Sequence, residues 1–540
     1  MKSFLLVSCL VFLVSVSAPG AQNTTVNGAK TFQTIHGLGV NANPQSWNVN
    51  PEAVKKVLDD LITGVGCTSF RLMFDDCDWE QVNDNDDPHS YNWKYYDSVY
   101  SAPRFTCVWN TIRYLNSKGV ADITLSPDGA APSWMGGTTL SSGKEEEYAE
   151  MMASMVYYAK NRLNPPVQFS VLSPVNETTC GGNEGAAMTP NQFGTVYSAI
   201  ATHLIHDGIS DVSIIGPDDC NGWTANFRAM LADKTTMSKV LRFGQHEYGD
   251  DLRKGQEMVT AVRNSAYPDR EVIMTEINAV CKNCDEAAYN SDYGFDNYAG
   301  PAYKFILQHL NLGVTGIQVW EAYDSQYHHP HRTLTWSMWG IFGVNDIKHP
   351  DVYTRRTHYY VLQQLFKFVK PGFKRIDNST SLTNMTISAF HDTASGTIVI
   401  TGVNDSSSPQ TMQCRLLNLP AVRKLKYYFT DASHNFMQDS DVPVGEQAFS
   451  KLIRAKCAFT FVGEGGTPVG TGRTGKEAMG LSMGSGPAAA LGQKFQIDPR
   501  GLGRDGVQKV AVNSTNDADT RNAGARVSTL LTGNSSFSAE

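Results

Sequence analysis

Along the first two thirds of the chain, short runs of β-branched and apolar residues alternate with longer stretches whose apolar positions recur every three or four residues. Across 33–365 this alternation predicts strands at 34–40, 69–74, 122–126, 168–172, 212–216, 241–245, 271–275 and 315–320. Helices are predicted between them at 51–62, 105–117, 145–161, 191–207 and 302–312. Eight strands, each followed by polar, helix-compatible sequence, imply an α/β chain folded as a (β/α)8 TIM barrel with insertions.

After about residue 370 the pattern changes to short alternating runs, at 385–390, 396–402 and 424–430, separated by turn residues. This texture predicts a C-terminal β-sandwich-like domain, to which the segment 22–32 is placed to add a strand. From 465 to 540 the chain is dominated by Gly, Ser, Thr and Ala. Its large apolar residues are too few to offset the entropy of ordering, so a disordered tail is expected. The expected division is a leader over 1–21, the joining segment 22–32, a barrel over 33–368, a β domain over 369–464 and the tail 465–540.

The leader has Met1-Lys2, an apolar run from Phe4 to Val16 and small residues at Ser17-Ala18-Pro19-Gly20-Ala21, which is the pattern of a secretory signal peptide. That run is short for a membrane span, and no later stretch approaches ~18 consecutive apolar residues. A secreted, extracellular protein without a membrane span is therefore expected. Asn23, Asn378, Asn384, Asn404, Asn513 and Asn534 lie in glycosylation sequons, as suits a secreted glycoprotein. Cys9 leaves with the leader, so nine of the 10 cysteines remain and at least one must stay unpaired or pair between chains. Cys281 and Cys284 are expected to close a local disulfide. The formal charge is only −8 over 540 residues, without a Lys/Arg block to follow a phosphate backbone. This excludes nucleic acid as the expected partner and favours a neutral or weakly charged one.

The chemistry concentrates in Val175-Asn176-Glu177 and Met274-Thr275-Glu276, which follow the fourth and seventh predicted strands. Barrel active sites form at the C-terminal ends of strands, so both carboxylates are expected in one cleft. Glu177 and Glu276 are 276 − 177 = 99 residues apart, three βα units of ordinary length. Paired carboxyl groups of this kind hydrolyse glycosidic bonds with retention when one donates a proton and the other attacks the anomeric carbon. Spacing alone does not assign those roles.

Over about residues 30–465 the chain resembles the retaining (β/α)8 glycoside hydrolases, and most closely glycoside hydrolase family 30. The resemblance implies that Glu177, preceded by Asn176, is the acid/base and that Glu276 is the nucleophile. It implies that Arg71 in Ser69-Phe70-Arg71-Leu72 supports the nucleophile. In His246-Glu247-Tyr248 the tyrosine would hydrogen-bond it, and Trp320 would be the aromatic ending the eighth strand. Ala131-Pro132-Ser133-Trp134-Met135 is similar to the family's third-strand loop, whereas the opening Ile35-His36-Gly37-Leu38-Gly39-Val40-Asn41 matches the usual Gly-Phe-Gly only loosely. Arg71, Trp134, Asn176, His246, Tyr248 and Trp320 are thus the expected substrate-binding residues. The implied activity is cleavage within a β-linked polysaccharide, of the xylan, β-1,6-glucan or β-1,6-galactan type, by double displacement. An exo-acting, glucosylceramidase-like β-glycosidase and an inactive carbohydrate-binding barrel are the alternatives. Neither cofactor nor metal is implied, the partner is a polysaccharide or oligosaccharide, and a monomer is expected.

Elementary electrostatics gives a compatible expectation: a positive Arg71 beside Glu276 favours its carboxylate, while Glu177, away from that charge and among tryptophans, keeps a proton. Asn176 is placed to bond a sugar 2-hydroxyl. All nine tryptophans lie between Trp47 and Trp339. Trp134, Trp223 and Trp320 read either as sugar-stacking platforms or as core aromatics. His36 reads as a cleft residue or a hydrogen-bonded structural one. The cluster His328, His329 and His331 lacks zinc-site spacing and reads as a substrate loop or surface segment. Asn176-Glu177-Thr178 is also a sequon, which burial in the cleft should leave unmodified.

Overall fold

The computed structural model describes residues 22–465 apart from 75–78, 181–183, 221, 282–283, 285–290, 327–335 and 347–349. The leader, the tail beyond 465, Cys77 and the His328, His329 and His331 cluster therefore lie outside the described residues.

The chain enters on β1 (Thr24–Thr34) and then forms eight parallel strands: β2 (Gly37–Ala42), β3 (Ser69–Phe74), β4 (Ile123–Pro127), β5 (Val171–Leu172), β6 (Ser213–Ile214), β7 (Arg242–Tyr248), β8 (Glu271–Asn278) and β9 (Gly316–Val319). Their hydrogen-bonded order is β6-β5-β4-β3-β2-β9-β8-β7. Bridges from Ile214 to Val240 and from Pro217 to Gly244 join the two ends and close the barrel. β2 and β3 are buried along their whole length, as strands enclosed on both faces must be. The predicted strand 34–40 is divided between two sheets. After β1 ends, Ile35 N bonds Phe373 O and His36 N bonds Thr315 O, which turns the chain out of one sheet and into the other.

Helices α1 (Ser46–Val49), α2 (Pro51–Asp60), α3 (Trp93–Tyr100), α4 (Pro103–Ser117), α5 (Glu145–Tyr157), α6 (Pro190–His206), α7 (Trp223–Ala232), α8 (Lys234–Lys239), α9 (Arg253–Arg263) and α10 (Gly300–Leu312) alternate with the strands. Their ends follow local chemistry. Thr189 and Gln192 form a reciprocal capping box ahead of Pro190 at the start of α6. Gly313, at φ +117°, ends α10 in a left-handed conformation that suits glycine. No helix of the described residues is long and apolar enough to cross a membrane.

After β9, two small hairpin-like pairs, β10 (Ser325–Gln326) with β11 (Trp336–Ser337) and β12 (Phe342–Val344) with β13 (Tyr353–Arg355), lead into α11 (Thr357–Phe366). The remaining strands are β14 (Lys374–Thr380), β15 (Met385–Asp392), β16 (Thr397–Asn404), β17 (Gln410–Leu417), β18 (Lys424–Asp431), β19 (His434–Pro443), β20 (Ala448–Ile453) and β21 (Cys457–Gly463). With β1 they form one nine-stranded sheet, ordered β19-β18-β21-β16-β15-β14-β1-β17-β20. β1 pairs antiparallel with β14 and parallel with β17, so the N-terminal strand sits inside the C-terminal sheet.

The sandwich-like layering arises because this single sheet folds over its own core. Phe449 of β20 lies 4.9 Å from Phe461 of β21, and Lys451 of β20 sits over the Tyr427 ring of β18. Side chains alternate between two destinations: Ile398 and Ile400 enter the sheet's core, whereas Val399 and Val403 join the barrel core. Polar contacts fix the same face, with Asn311 donating to Ile387 O at 2.8 Å and Gln364 to Thr430 Oγ1 at 2.9 Å.

Among the described residues two disulfides are formed, Cys180–Cys220 and Cys281–Cys284, with Cα separations of 6.2 and 5.5 Å. Cys67, Cys107, Cys414 and Cys457 are buried and unpaired among the described residues. Asn404 is buried and its amide donates to Ser408 O and Arg454 O, so that sequon cannot hold a glycan.

Candidate active site

At the C-terminal ends of the barrel strands, Arg71 of β3 is fully buried and organises the charges around it. Nη1 donates to Glu276 Oε1 at 2.7 Å and to Asn41 Oδ1 at 2.9 Å, and Nη2 donates to Asn176 Oδ1 at 2.8 Å. Asp218 Oδ2 lies 3.5 Å from the same guanidinium. The other oxygen of Glu276 accepts from Tyr248 Oη at 2.6 Å. Proximity to Glu276 and Glu177 and burial hold the Tyr248 phenol well above its ordinary range, burial being the larger cause.

His246 Nδ1 stands 2.7 Å from Glu177 Oε1 and 3.7 Å from Glu276 Oε1. Burial alone would push this imidazole down, but the negative charges of Glu276, Glu177 and Asp218 outweigh it and raise the ring above its ordinary value. The expectation that Glu177 sits away from charge among tryptophans is therefore corrected, because its hydrogen-bond partner is a charged-type ring. One oxygen of Glu177 and one of Glu276 lie within 4.8 Å of each other.

The backbone is set for this purpose. Glu177 and Asp218 both adopt left-handed conformations, at φ +42° and +49°. Non-glycine residues held there store roughly 1–3 kcal/mol of strain, which the surroundings must sustain. Glu177 N donates to Asp218 O at 2.9 Å, joining the loops after β5 and β6. Asp219 accepts from Thr178, Thr179, the Cys220 backbone and Asn226, and the Cys180–Cys220 disulfide ties the same two loops.

β7 and β8 change register here: Gln245 pairs with Met274, but His246 pairs with Glu276, leaving Thr275 as an extra residue. Such a bulge re-aims the side chains that follow it. Thr275 Oγ1 donates to Asp218 Oδ1 while Glu276 reaches Arg71 and Tyr248, so two consecutive side chains serve one charged cluster.

Asn176 is buried, and its amide donates to Asp128 Oδ1 at 3.1 Å and Glu184 O at 3.2 Å. That burial leaves no room for a glycan. Trp320 follows β9 and is half-buried, its carbonyl accepting from Asn278. Trp134 is half-buried in the loop after β4, donates to Glu80 O at 2.7 Å and carries Lys144 over its ring. Trp223 is a core aromatic, buried and edge-on to Phe227. Arg71, Asn176, Glu177, His246, Tyr248 and Glu276 are thus brought into mutual contact, whereas Trp134 and Trp320 stand in neighbouring loops.

Sequence reasoning missed Asn41, Asp128, Asp218, Asp219 and Trp339. Asp218 and Asp219 sit just past the fifth predicted strand, the same strand-end position that singled out the two glutamates. Trp339 lies edge-on to Tyr248 at 5.6 Å but is 91 residues from it in sequence, without a local signal. His36 is structural: it contacts Asp122 and Glu271 at the opposite, N-terminal ends of the strands. Glu177, His246 and Glu276 also have the mutual spacing of metal ligands. Both Glu276 oxygens already have donors, and the Arg71 cation opposes a second positive charge there.

No protein-family model matches the chain, and no curated protein sequence does. Solved structures do match. A glycoside hydrolase family 30 subfamily 8 xylanase from Clostridium acetobutylicum is 18% identical, with a TM-score of 0.61 over 82% of this chain and 99% of that one. A family 30 endoxylanase from Clostridium papyrosolvens is 20% identical, with a TM-score of 0.60 over 82% and 100%. An endo-β-1,6-glucanase is 17% identical, with a TM-score of 0.60 over 82% and 94%. The chain therefore has the fold of these glycoside hydrolase family 30 structures, a (β/α)8 barrel joined to a β layer.

Proposed function

We propose that the protein is a secreted retaining glycoside hydrolase that cuts β-linked polysaccharide within the chain, with Glu276 as nucleophile and Glu177 as general acid/base. The observation that carries this reading is the approach of two strand-end carboxylates to within 4.8 Å, each held by its own partners. Retaining enzymes keep their carboxyl groups roughly 5–5.5 Å apart, a spacing compatible with this approach of single oxygens.

In the first step a Glu276 oxygen attacks the anomeric carbon as the glycosidic C–O bond breaks, and Glu177 gives its proton to the leaving oxygen. In the second, water attacks the same carbon, Glu177 takes the water's proton, and the bond to Glu276 breaks. Arg71 and Tyr248 fix the plane of the Glu276 carboxylate through one hydrogen bond to each oxygen. The short His246–Glu177 contact fixes the orientation of the carboxyl that exchanges the proton. Asn176 offers the sugar 2-hydroxyl its amide by exchanging the longer bond to Glu184 O. Trp134 and Trp320, both partly exposed, are the proposed stacking platforms. Secretion is supported by the leader pattern and the two disulfides. Endo action on xylan, β-1,6-glucan or β-1,6-galactan is supported by the xylanase, endoxylanase and endo-β-1,6-glucanase that share the fold.

The test is a reducing-sugar assay of the purified protein on xylan, β-1,6-glucan, β-1,6-galactan and β-1,3-glucan, beside Glu177→Gln and Glu276→Gln. Proton NMR reads the first anomer released. One glycan cut to the retained anomer, with both variants slower by about 10²–10⁴ or more, supports the reading. An inverted product, or variants as active as wild type, rejects it. Sugar binding without cleavage would identify an inactive barrel.

A further inference from the structure

Away from the cleft, three side chains from separate parts of the sequence converge. His89 lies in the loop between β3 and α3, Glu146 in the first turn of α5 and His203 in the last turn of α6. One ring nitrogen of each histidine and one oxygen of Glu146 lie within 4.8 Å of one another. They line a surface pocket of about 390 Å³ that His206 also borders. His89 and Glu146 are exposed, whereas His203 is 6% exposed.

The hydrogen bonds behind His203 determine which nitrogen carries its proton. Tyr91 has a single hydroxyl proton, and it donates to Asp207 Oδ2 at 2.7 Å. Toward His203 Nδ1, 3.2 Å away, Tyr91 therefore accepts, and Nδ1 is the protonated nitrogen. This leaves Nε2 with its lone pair, buried and without a hydrogen-bond partner. The Pro88 carbonyl also approaches the ring but is not a hydrogen-bond partner of Nε2. Asp207 Oδ1 lies 3.2 Å from His206 Nδ1, so one carboxylate orients two imidazoles, one through Tyr91 and one directly. Metal-binding histidines are held in this way, with the far nitrogen bonded to an oriented acceptor and the near one left as a ligand.

We propose that His89, Glu146 and His203 form a site for a divalent transition-metal cation, zinc by ligand type, with water or His206 in the fourth position. Two imidazoles and a carboxylate suit zinc, whose bonds of about 2.0–2.2 Å put tetrahedral ligand atoms roughly 3.4 Å apart. The ligands, up to 4.8 Å apart, must draw together by up to about 1.4 Å, which torsions of the exposed His89 and Glu146 side chains supply. A cation bound through Nε2 would satisfy that buried nitrogen and fasten the loop at His89 to α5 and α6. Its role is structural, and it acts apart from the catalytic carboxylates.

The test uses the full mature protein, stripped with a chelator and titrated with zinc chloride by calorimetry, then melted with and without zinc. His89→Ala and Glu146→Gln replace exposed side chains, and Glu276→Gln controls for zinc taken up in the cleft. The expected result is one equivalent bound, with affinity reduced at least about tenfold by either pocket variant and unchanged by Glu276→Gln. Zinc should raise the wild-type Tm by more than that of His89→Ala at the same concentration. Absence of binding, unchanged affinity in both pocket variants, or a loss confined to Glu276→Gln would overturn the proposal.

Discussion

His246 Nδ1 lies 2.7 Å from Glu177 Oε1, and the same nitrogen is 3.7 Å from Glu276 Oε1, so one buried imidazole faces both carboxylates of the cleft. The negative groups around it raise the ring above its ordinary value despite burial. The ring therefore holds its proton to higher pH than an isolated histidine would. His246→Gln removes that reservoir. We expect kcat/KM on the hydrolysed glycan to fall, and the alkaline limb of its pH profile to move to lower pH. A profile that keeps its shape in the variant would rule out proton-holding by His246.

Tyr248→Phe deletes one donor to Glu276 and keeps the ring against Trp339. A hydrogen bond to a charged group contributes about 1.5–3 kcal/mol, so kcat should fall roughly 10–100-fold. Little stability should be lost, because only the hydroxyl is removed and the ring keeps its packing. Steady-state kinetics and a thermal melt check both halves.

Arg71→Ala leaves Glu276 and Asp218 facing each other in a buried site without their shared cation. Removing one member of a buried ion pair costs about 3–5 kcal/mol. Urea unfolding should show a loss of that order. A midpoint within error of wild type would mean that the pocket relaxes to admit water.

His36 makes stability depend on pH. Burial pushes its imidazole down, but Asp122 and Glu271 more than reverse this and bring it to about 9 from 6.5. A raised folded pKa stabilises below the unfolded value and loses that contribution as pH rises through the folded one. His36→Gln should therefore destabilise the protein near pH 6 and be almost neutral near pH 10. The group is about a third exposed, so solvent screening keeps the effect modest. Denaturant midpoints at both pH values read the difference, and a larger penalty at high pH would contradict the assignment.

Cys180 and Cys220 are 40 residues apart and clamp the loops that position Glu177 and Asp218. Replacing both by serine frees a loop whose closure entropy amounts to about 4 kcal/mol. The double variant should unfold at lower temperature and lose kcat more than substrate affinity, because the left-handed turn at Glu177 loses a support. Equal kcat in variant and wild type would show that Asp219 and the backbone bond suffice.

Sequence alone determined the features that repeat locally. Strand-helix alternation gave the barrel, because each βα unit must write its own period into neighbouring residues. The strand-end positions of Glu177 and Glu276 were legible for the same reason, and Arg71, His246 and Tyr248 came with the family resemblance. Tertiary structure decided what depends on residues far apart. It inserted β1 between β14 and β17, since hydrogen-bond partners some 340–390 residues away leave no mark on local periodicity. It folded nine strands over one core instead of making two sheets. It also set the bulge at Thr275, the left-handed turns at Glu177 and Asp218, and the imidazole beside Glu177. Those features are fixed by the Arg71–Asp218–Asp219 network, and electrostatics of that kind exists only once distant strands have brought its charges together.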